Sequence, residues 1–243
     1  PGPSLPAERL AALEADADRT GEVLVNARLY HGTTHDPLTD LYRRQELEQH
    51  LAVELTIGRH TNAPVALVMV DVDEMGRINH EHGRARGDRV IGRVAKLIKA
   101  QVRDDDACMR YGGEEFALVL PNTDQDGALA TAEKVRRAVA DYPGFGLQVT
   151  VSCGVAVFPY HAEAPTELLR KADQTLFLAK QEGGNRALTW HKRIPKHALR
   201  SDKLIGIITG NQSKDYRNVM MLLDTIVVVS SILERRQVLR TLL

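Results

Sequence analysis

One uninterrupted apolar run constrains the fold most strongly. Residues 64–73 read PVALVMVDVD, a β-branched segment of strand length that ends in the carboxylates Asp71 and Asp73. A strand with one face in solvent alternates apolar and polar residues, whereas a continuous apolar run is typical of a strand buried on both faces. The run therefore predicts a central strand of a sheet that is covered by helices on both sides.

A second segment predicts a β-hairpin. Residues 107–121 read ACMRYGGEEFALVLP, in which two apolar segments flank Gly112 and Gly113. We expect these glycines to adopt positive φ angles and to leave room for a ligand beside Glu114 and Glu115. If the hairpin lies beside the strand that ends at Val70, Asp71 and Glu114 converge. The alternative for the two glutamates is an exposed turn with no ligand.

Helical periodicity is found in the segments between the predicted strands. Leu47, Leu51 and Leu55 form an i, i+4, i+8 stripe, and Thr39 or Asp40 is the expected cap of that helix. Further helices are predicted at 87–102, 126–142 and 166–185, the last ended by the glycine pair at 183–184. Residues 147–159 predict a pair of strands. The order α, β, α, hairpin, α, β, α predicts an α/β sandwich around one central, mostly antiparallel sheet.

The two ends of the chain differ from this central region in their pattern of apolar and charged residues. We divide the chain into an N-terminal helical lead-in at 1–32, a central domain at 33–190 and a C-terminal helical extension at 191–243. The spacing of a two-stranded helical seam is followed by Val219, Leu222, Ile226, Val229 and Leu233. It predicts a signalling or dimerisation helix, and a helix packed on the central domain is the alternative. The absence of an initial methionine and the apolar C-terminus indicate a piece of a longer protein.

Charge and cysteine content exclude several function classes. The chain has 32 basic and 32 acidic side chains, so a zero net charge gives no global attraction to nucleic acid or to an anionic membrane. No apolar segment is long enough to cross a bilayer, and we expect no signal peptide. Cys108 and Cys153 lie in apolar runs and lack metal-ligand spacing. We therefore expect a cytoplasmic protein that does not insert into a membrane.

The carboxylates after the central strand and at the hairpin predict a metal site. Mg²⁺ prefers carboxylate oxygens and usually keeps waters and substrate phosphates among its ligands. A cation held by Asp71 and Glu114 is suited to neutralising a triphosphate and promoting in-line attack by a hydroxyl. A capping or turn role for Asp71 and Asp73 is the alternative.

Several segments together resemble the GGDEF domains, the diguanylate cyclase family. RYGGEEF at 110–116 resembles the family's defining motif in its GGEEF variant. HDPLTDLYRR at 35–44, VMVDVDEMGRINHEHGRARGDRVI at 68–91, VTVSCGVAVFP at 149–159 and LLRKADQTLFLAKQEGGNR at 168–186 resemble its other conserved segments. The resemblance implies the nucleotidyl-cyclase fold and the condensation of two GTP molecules into cyclic di-GMP. It also implies a bacterial signalling protein that acts as a homodimer, in which two domains meet head to head.

The resemblance also implies roles for individual residues. Asp71, the Val72 carbonyl and Glu114 would hold Mg²⁺, with Mn²⁺ as the alternative ion, and Glu114 or Glu115 would deprotonate the attacking hydroxyl. The residues expected to bind GTP are Asn79 and Asp88 at guanine, Gly112 and Gly113 at the turn, and Lys180 at phosphate. An Asp88 carboxylate can accept from the two N–H groups on the pairing edge of guanine. The alternatives are a helix cap for Asp88, a turn position for Asn79 and a solvated position for Lys180.

The resemblance implies an inhibitory product site as well. Arg103 and Asp106 form an Arg-x-x-Asp motif, and Asp106 precedes Gly112 by six residues, as in family members that bind cyclic di-GMP there. An arginine suits this ligand because its fork of donors matches guanine and phosphate acceptors. An exposed charged loop is the alternative interpretation.

Two departures from the family pattern affect the phosphate contacts. Gly76 occupies a position that usually carries lysine, and Gly184 occupies one that usually carries arginine. Asp40 and Arg43 replace a usual glycine and asparagine. Each lost charge-assisted contact costs about 1.5–3 kcal/mol. Two hypotheses follow. The first is a working diguanylate cyclase, of normal or reduced rate, with product inhibition. The second is a degenerate domain that binds cyclic di-GMP or GTP as a receptor or scaffold without turnover.

Overall fold

The computed structural model describes residues 31–191. The expectations for the lead-in helix, the C-terminal seam and the chain ends lie outside these residues. None of the helices within 31–191 has the length and apolarity needed to cross a membrane.

The described residues form one mixed sheet between two helical layers. The strands are β1 (Tyr42–Arg43), β2 (Val65–Val72), β3 (Ala107–Arg110), β4 (Glu115–Leu120), β5 (Val151–Phe158) and β6 (Ala187–Thr189), in the spatial order β1-β3-β4-β2-β5-β6. The β3–β4, β4–β2 and β2–β5 pairings are antiparallel, whereas β1–β3 and β5–β6 are parallel. The predicted fold class, a mostly antiparallel sheet flanked by helices, is confirmed.

The helices cover both faces of this sheet. They are α1 (Glu46–Thr61), α2 (Met75–His82), α3 (Arg84–Lys99), α4 (Gln125–Ala140) and α5 (Pro165–Gln181). Residues of α2, α3 and α4 pack into one core cluster, and residues of α1 and α5 pack into the other. Every residue of β2 is buried, because both of its faces meet a helical layer.

Two expectations about secondary structure and two of the alternatives are wrong. Residues 147–159 contribute one strand, β5, which pairs with β2 on one side and β6 on the other. Residues 75–82 form α2, so Asn79 lies in a helix and not in a turn. Asp88 lies inside α3, whose N-cap is Gly83, so Asp88 is not a helix cap. Thr39 and Asp40 do not cap α1, which begins at Glu46.

A glycine fixes how closely α5 approaches the sheet. A Cβ atom added at Gly154 on β5 would lie 2.2 Å from the Leu176 amide nitrogen and 2.3 Å from the Ala172 carbonyl oxygen. Because both obstacles are backbone atoms of α5, no side-chain movement could relieve the overlap. Gly154 therefore lets α5 lie directly against β5 and fixes the position of the residues that α5 carries.

Candidate active site

The sheet register brings the hairpin carboxylates to the end of β2. Asp71 lies opposite Glu115 in the β2–β4 pair, and the Val72 amide donates to the Glu114 carbonyl oxygen at 3.2 Å. Residues directly opposite in an antiparallel pair project to the same face of the sheet. The predicted approach of the β2 carboxylate to the hairpin is therefore present, with Glu115 directly across from Asp71 and Glu114 one residue further.

An ion pair between a buried carboxylate and a partly exposed ammonium lies at the centre of this site. Asp71 is 3% exposed, and its Oδ1 lies 2.8 Å from the Nζ of Lys180, which α5 delivers from the neighbouring layer. The ammonium rotates freely about its C–N bond, so at this distance it makes a charge-assisted contact with Asp71 Oδ1.

Burial dominates the electrostatics of the two innermost carboxylates. Burial raises the pKa of Asp71 to about 7; the Lys180 ammonium opposes this shift, and Glu115 and Glu114 add to it. Burial and the charge of Glu115 likewise raise the pKa of Asp173 to about 6, against the attraction of Lys180 and Arg44. The site therefore concentrates negative charge that is only partly compensated by the protein's own cations.

Asp173 is a site residue that the motifs did not indicate. It lies on α5, seven residues before Lys180 and thus on the same helix face. The sequence signal that could have indicated Asp173 is an acidic residue directly after Ala172, which belongs to the apolar stripe of this helix. Its proximity to Glu115 depends on the packing of α5 against the sheet, which no local pattern encodes.

Asp73 has a structural function in this arrangement. Its carboxylate accepts hydrogen bonds from Thr150 Oγ1 at 2.7 Å, Ser152 Oγ at 2.6 Å and the Asn185 amide at 2.9 Å. Asp73 thereby ties the turn after α5 to the sheet. Gly184 lies in this turn with φ +69°, and a Cβ atom there would lie 3.2 Å from the Asp73 carboxylate. The absence of a side chain at 184 thus suits the local backbone.

The glycines of the hairpin turn do not adopt the expected backbone conformation. Neither Gly112 nor Gly113 is among the described glycines with positive φ, so that expectation is wrong. A Cβ atom at Gly112 would instead lie 2.0 Å from Glu115 Oε2. Because Gly112 has no side chain, the Glu115 carboxylate can lie beside the turn.

An arginine fixes this turn to the segment before β1. Arg110 contacts both carboxylate oxygens of Asp36 at 3.0 and 3.1 Å, and its Nη2 and Nε donate to the Gly113 carbonyl oxygen at 2.8 and 3.3 Å. Burial opposes ionisation of Asp36, but the hydrogen bonds from Thr39 and the Arg110 charge outweigh it and lower its pKa. No local pattern indicates this contact, because Asp36 and Arg110 are 74 residues apart.

The two predicted guanine-binding residues lie on adjacent helices. Asn79 projects from α2 over the first turns of α3, where a Cβ atom at Gly87 would lie 1.9 Å from Asn79 Oδ1. The neighbouring residue on α3 is Asp88, whose side chain is exposed. The bare backbone at Gly87 therefore gives space to the Asn79 side chain, one residue along α3 from Asp88.

The predicted product site adjoins a polar cavity. Asp106 is buried, and its Oδ2 accepts a hydrogen bond from the Arg103 amide at 2.7 Å, which shapes the loop and leaves the Arg103 side chain exposed. Both residues line a cavity of about 330 Å³ that Lys134 of α4 also lines. Sequence reasoning did not include Lys134, because only the packing of α4 brings it near this loop.

The donor set at Asp71 fits a hard divalent cation. Within residues 31–191, no group of three or more histidine, cysteine, aspartate or glutamate side chains has the geometry of a complete metal site. The predicted set, however, comprises two carboxylates and a backbone carbonyl, which is the kind of partial oxygen set that Mg²⁺ completes with waters and phosphates. Asp71 is buried with Glu115 directly opposite and Lys180 at 2.8 Å as its counter-charge, so a divalent cation would meet an acidic, only partly compensated site.

Comparison with known proteins identifies relatives along this whole region. The family model described as diguanylate cyclase, GGDEF domain, matches residues 33–186. Diguanylate cyclase A of Treponema denticola is 34% identical over 197 residues, which cover 78% of this chain and 51% of that protein.

Solved structures give the same result. The coiled coil and GGDEF domain of DgcB from Caulobacter crescentus, in complex with c-di-GMP, has a TM-score of 0.64 and 26% identity over 75% of this chain and 97% of that one. The active GGEEF domain of a diguanylate cyclase from Vibrio cholerae has a TM-score of 0.59 and 28% identity, covering 62% and 97%. The chain spans about half the length of the curated relatives it matches, for example 51% and 46% of two of them.

The contact between Asp36 and Arg110 leads to a stability prediction. Both side chains are less than one-fifth exposed, so Asp36→Asn and Arg110→Ala should each lower the free energy of unfolding by about 1–3 kcal/mol. In a double-mutant cycle followed by chemical denaturation, the coupling energy should be about 1 kcal/mol or more. Arg77→Ala is the control, because its ion pair with Glu74 is exposed and should be worth less than about 1 kcal/mol. A coupling energy near zero would contradict the proposed fixing of the turn.

Proposed function

Because the chain belongs to the GGDEF family of diguanylate cyclases, we propose that it condenses two GTP molecules into cyclic di-GMP. The observation that carries this proposal is the buried Asp71 carboxylate opposite Glu115 and beside Lys180. A sheet edge with a purely structural role does not require several carboxylates close together, and burying them without a ligand costs free energy. The substrate and the product follow from the family and not from the geometry alone.

In the proposed reaction, each of two copies holds one GTP molecule and the copies meet head to head. The 3′-hydroxyl oxygen of one nucleotide bonds to the α-phosphorus of the other, the bond to the pyrophosphate leaving group breaks, and Glu114 or Glu115 accepts the hydroxyl proton. Asn79 and Asp88 bind guanine. Mg²⁺ or Mn²⁺ bound by Asp71, Glu114 and the Val72 carbonyl would neutralise charge on the triphosphate.

Lys180 would have two partners in this scheme. Without ligands it is the counter-charge of Asp71. When a cation occupies the carboxylates, that role is no longer needed, and the Lys180 ammonium is available for a phosphate oxygen. The proposed site would lie in the cytoplasm, where GTP is available and where the buried, unpaired Cys108 and Cys153 would stay reduced.

A substitution at Asp71 tests the proposal directly. We expect Asp71→Asn to lower cyclic di-GMP formation by about 100-fold or more, because a neutral amide is a poor ligand for the cation. The rise in melting temperature on addition of Mg²⁺ should disappear in the same variant. Product chromatography and thermal melting check the two effects.

Asp126→Asn is the matched control, because Asp126 is exposed in the first turn of α4. It should keep both the activity and the response to Mg²⁺. Turnover by Asp71→Asn at the rate of the unmodified protein would remove Asp71 from the metal site. If the unmodified protein is correctly folded and binds cyclic di-GMP but forms no product, the receptor hypothesis is favoured over the cyclase.

The receptor alternative rests on the two missing phosphate cations. Arg77 is paired with Glu74 at 2.6 Å, and Arg186 is paired with Glu182 at 2.8 Å, so neither neighbouring arginine lies unpaired beside the site. Both ion pairs are exposed and therefore weak. The expected consequence for a cyclase is weak binding of GTP, with an unchanged product.

Gly76→Lys should lower the KM for GTP by about tenfold, because it restores one charge-assisted phosphate contact. A Cβ atom at Gly76 meets no atom within 4 Å, so the side chain fits the exposed helix surface. Gly76→Ala is the matched control for the backbone change without the charge. Equal KM values for the two variants, measured in steady-state assays, would show that position 76 does not reach the phosphates. Gly184→Arg is less informative, since the positive φ angle and Asp73 oppose a side chain there.

We also propose that Arg103 and Asp106 bind cyclic di-GMP and inhibit the enzyme, with Lys134 as a third residue of the site. Arg103→Ala should weaken cyclic di-GMP binding by at least about tenfold, because a charged donor is lost. Calorimetry measures this directly. Asp105→Ala in the same loop is the control, since Asp105 does not line the cavity. Unchanged affinity of Arg103→Ala would mean that the loop is only a charged surface.

A further inference from the structure

The outer face of α3 carries a local excess of positive charge that the proposed reaction does not use. The helix reads RARGDRVIGRVAKLIK, with six basic residues and one acidic residue, Asp88. The whole chain, in contrast, has equal numbers of acidic and basic side chains. Like charges on neighbouring turns of a helix repel each other and destabilise it slightly. This excess is therefore not explained by helix stability.

The basic residues line a surface cavity. Its volume is about 380 Å³, and it lies between α3, the turn at 143–145 and the segment before β1. Apolar atoms of Leu38, Val90 and Phe145 form part of its lining. The charged residues that line it are Arg86, Asp88, Arg89, Arg93 and Lys96. A concave site of this size with apolar walls and several converging charges has the usual properties of a small-ligand site.

The four cations of this cavity have no carboxylate partner within 4 Å among residues 31–191. Arg86 donates to the Phe145 carbonyl oxygen. The Arg93 guanidinium lies 5.2 Å from the centre of the Tyr142 ring. These contacts orient two arginines without neutralising them, so the positive field of the cavity is retained.

The spacing of the cations matches an extended polyanion. Arg89, Arg93 and Lys96 are separated by four and three residues and therefore lie along one face of the helix. With a rise of about 1.5 Å per residue, the span from Arg86 to Lys96 is about 15 Å. Arginine forks bind phosphate oxygens in a bidentate manner. We propose that this cavity binds the polyphosphate chain of a small phosphorylated molecule.

This site differs from the proposed phosphate position for catalysis. The core-facing residues of α3 belong to the cluster that α2 and α4 share, whereas Lys180 comes from α5 on the other face of the sheet. Asp88, at the rim of the cavity, is the one residue that both proposals use. The inference does not depend on cyclase activity, because it concerns binding on the outer surface of α3.

The test is a titration of the purified chain with inorganic triphosphate by calorimetry, in EDTA and at low salt. Chelation of divalent ions leaves the carboxylates around Asp71 with only the partial compensation of Lys180, so they repel the probe, while the cavity keeps its charge. Arg89→Ala/Arg93→Ala should weaken binding by at least about tenfold, and Arg89→Lys/Arg93→Lys should retain part of it. Raising the salt concentration from low to physiological values should also weaken binding.

Arg137→Ala/Arg170→Ala is the matched control, because it removes two exposed arginines from α4 and α5, and it should bind like the unmodified chain. A nucleotide would be identified as the ligand if, in EDTA, GTP binds more tightly than triphosphate and this binding is lost in Arg89→Ala/Arg93→Ala. Equal affinities for GTP and triphosphate would identify an inorganic polyphosphate. No binding by the unmodified chain, or equal loss in the control, would overturn the proposal. Binding to phosphatidylserine vesicles without binding of triphosphate would overturn it in favour of a membrane surface.

Discussion

The burial of Asp71 at the end of β2 is the constraint on which the rest of the site depends. A carboxylate that is 3% exposed in the central strand requires a counter-charge, and Lys180 on α5 supplies it at 2.8 Å. The ammonium reaches this position only because α5 packs directly against β5 at Gly154, where no side chain would fit. The strand order that places β4 and β5 on either side of β2 brings Glu115 and Ser152 opposite the same residue. One buried charge therefore ties together the sheet register, a helix position and the hairpin.

The loops around this centre are held mainly by side chains from other parts of the chain. Arg110 and Asp36 fix the carbonyl of Gly113, and Asp73 fixes the turn that contains Gly184. Because the anchors are remote in sequence, the hairpin turn needs no unusual backbone angles of its own at Gly112 or Gly113. Such support keeps the Glu114–Glu115 segment in place while leaving both side chains only partly buried.

Local patterns predicted the elements with a strong periodicity and failed where the pattern was weak. The apolar run of β2, the hairpin and the leucine stripe of α1 were correctly predicted, since each buries a complete face or strand. Helix α2 was missed because only Met75 and Ile78 of its eight residues are buried, too few to display a helical stripe. Residues 147–159 suggested two strands, but the apolar character of β5 arises from one strand that is covered on both faces.

The sequence by itself determined which chemistry is available: oxygen ligands after a buried strand, a glycine-rich turn with two carboxylates, and the order of elements that makes an α/β sandwich. It also showed the missing cations at positions 76 and 184. Only the tertiary structure decided which groups meet. Glu115 rather than Glu114 lies opposite Asp71, Asp173 joins the site, Asp73 becomes a structural anchor, and the cations of α3 surround one cavity. The physical reason is that periodicity reports which face of an element is buried, whereas register and helix packing depend on contacts between residues far apart in the chain.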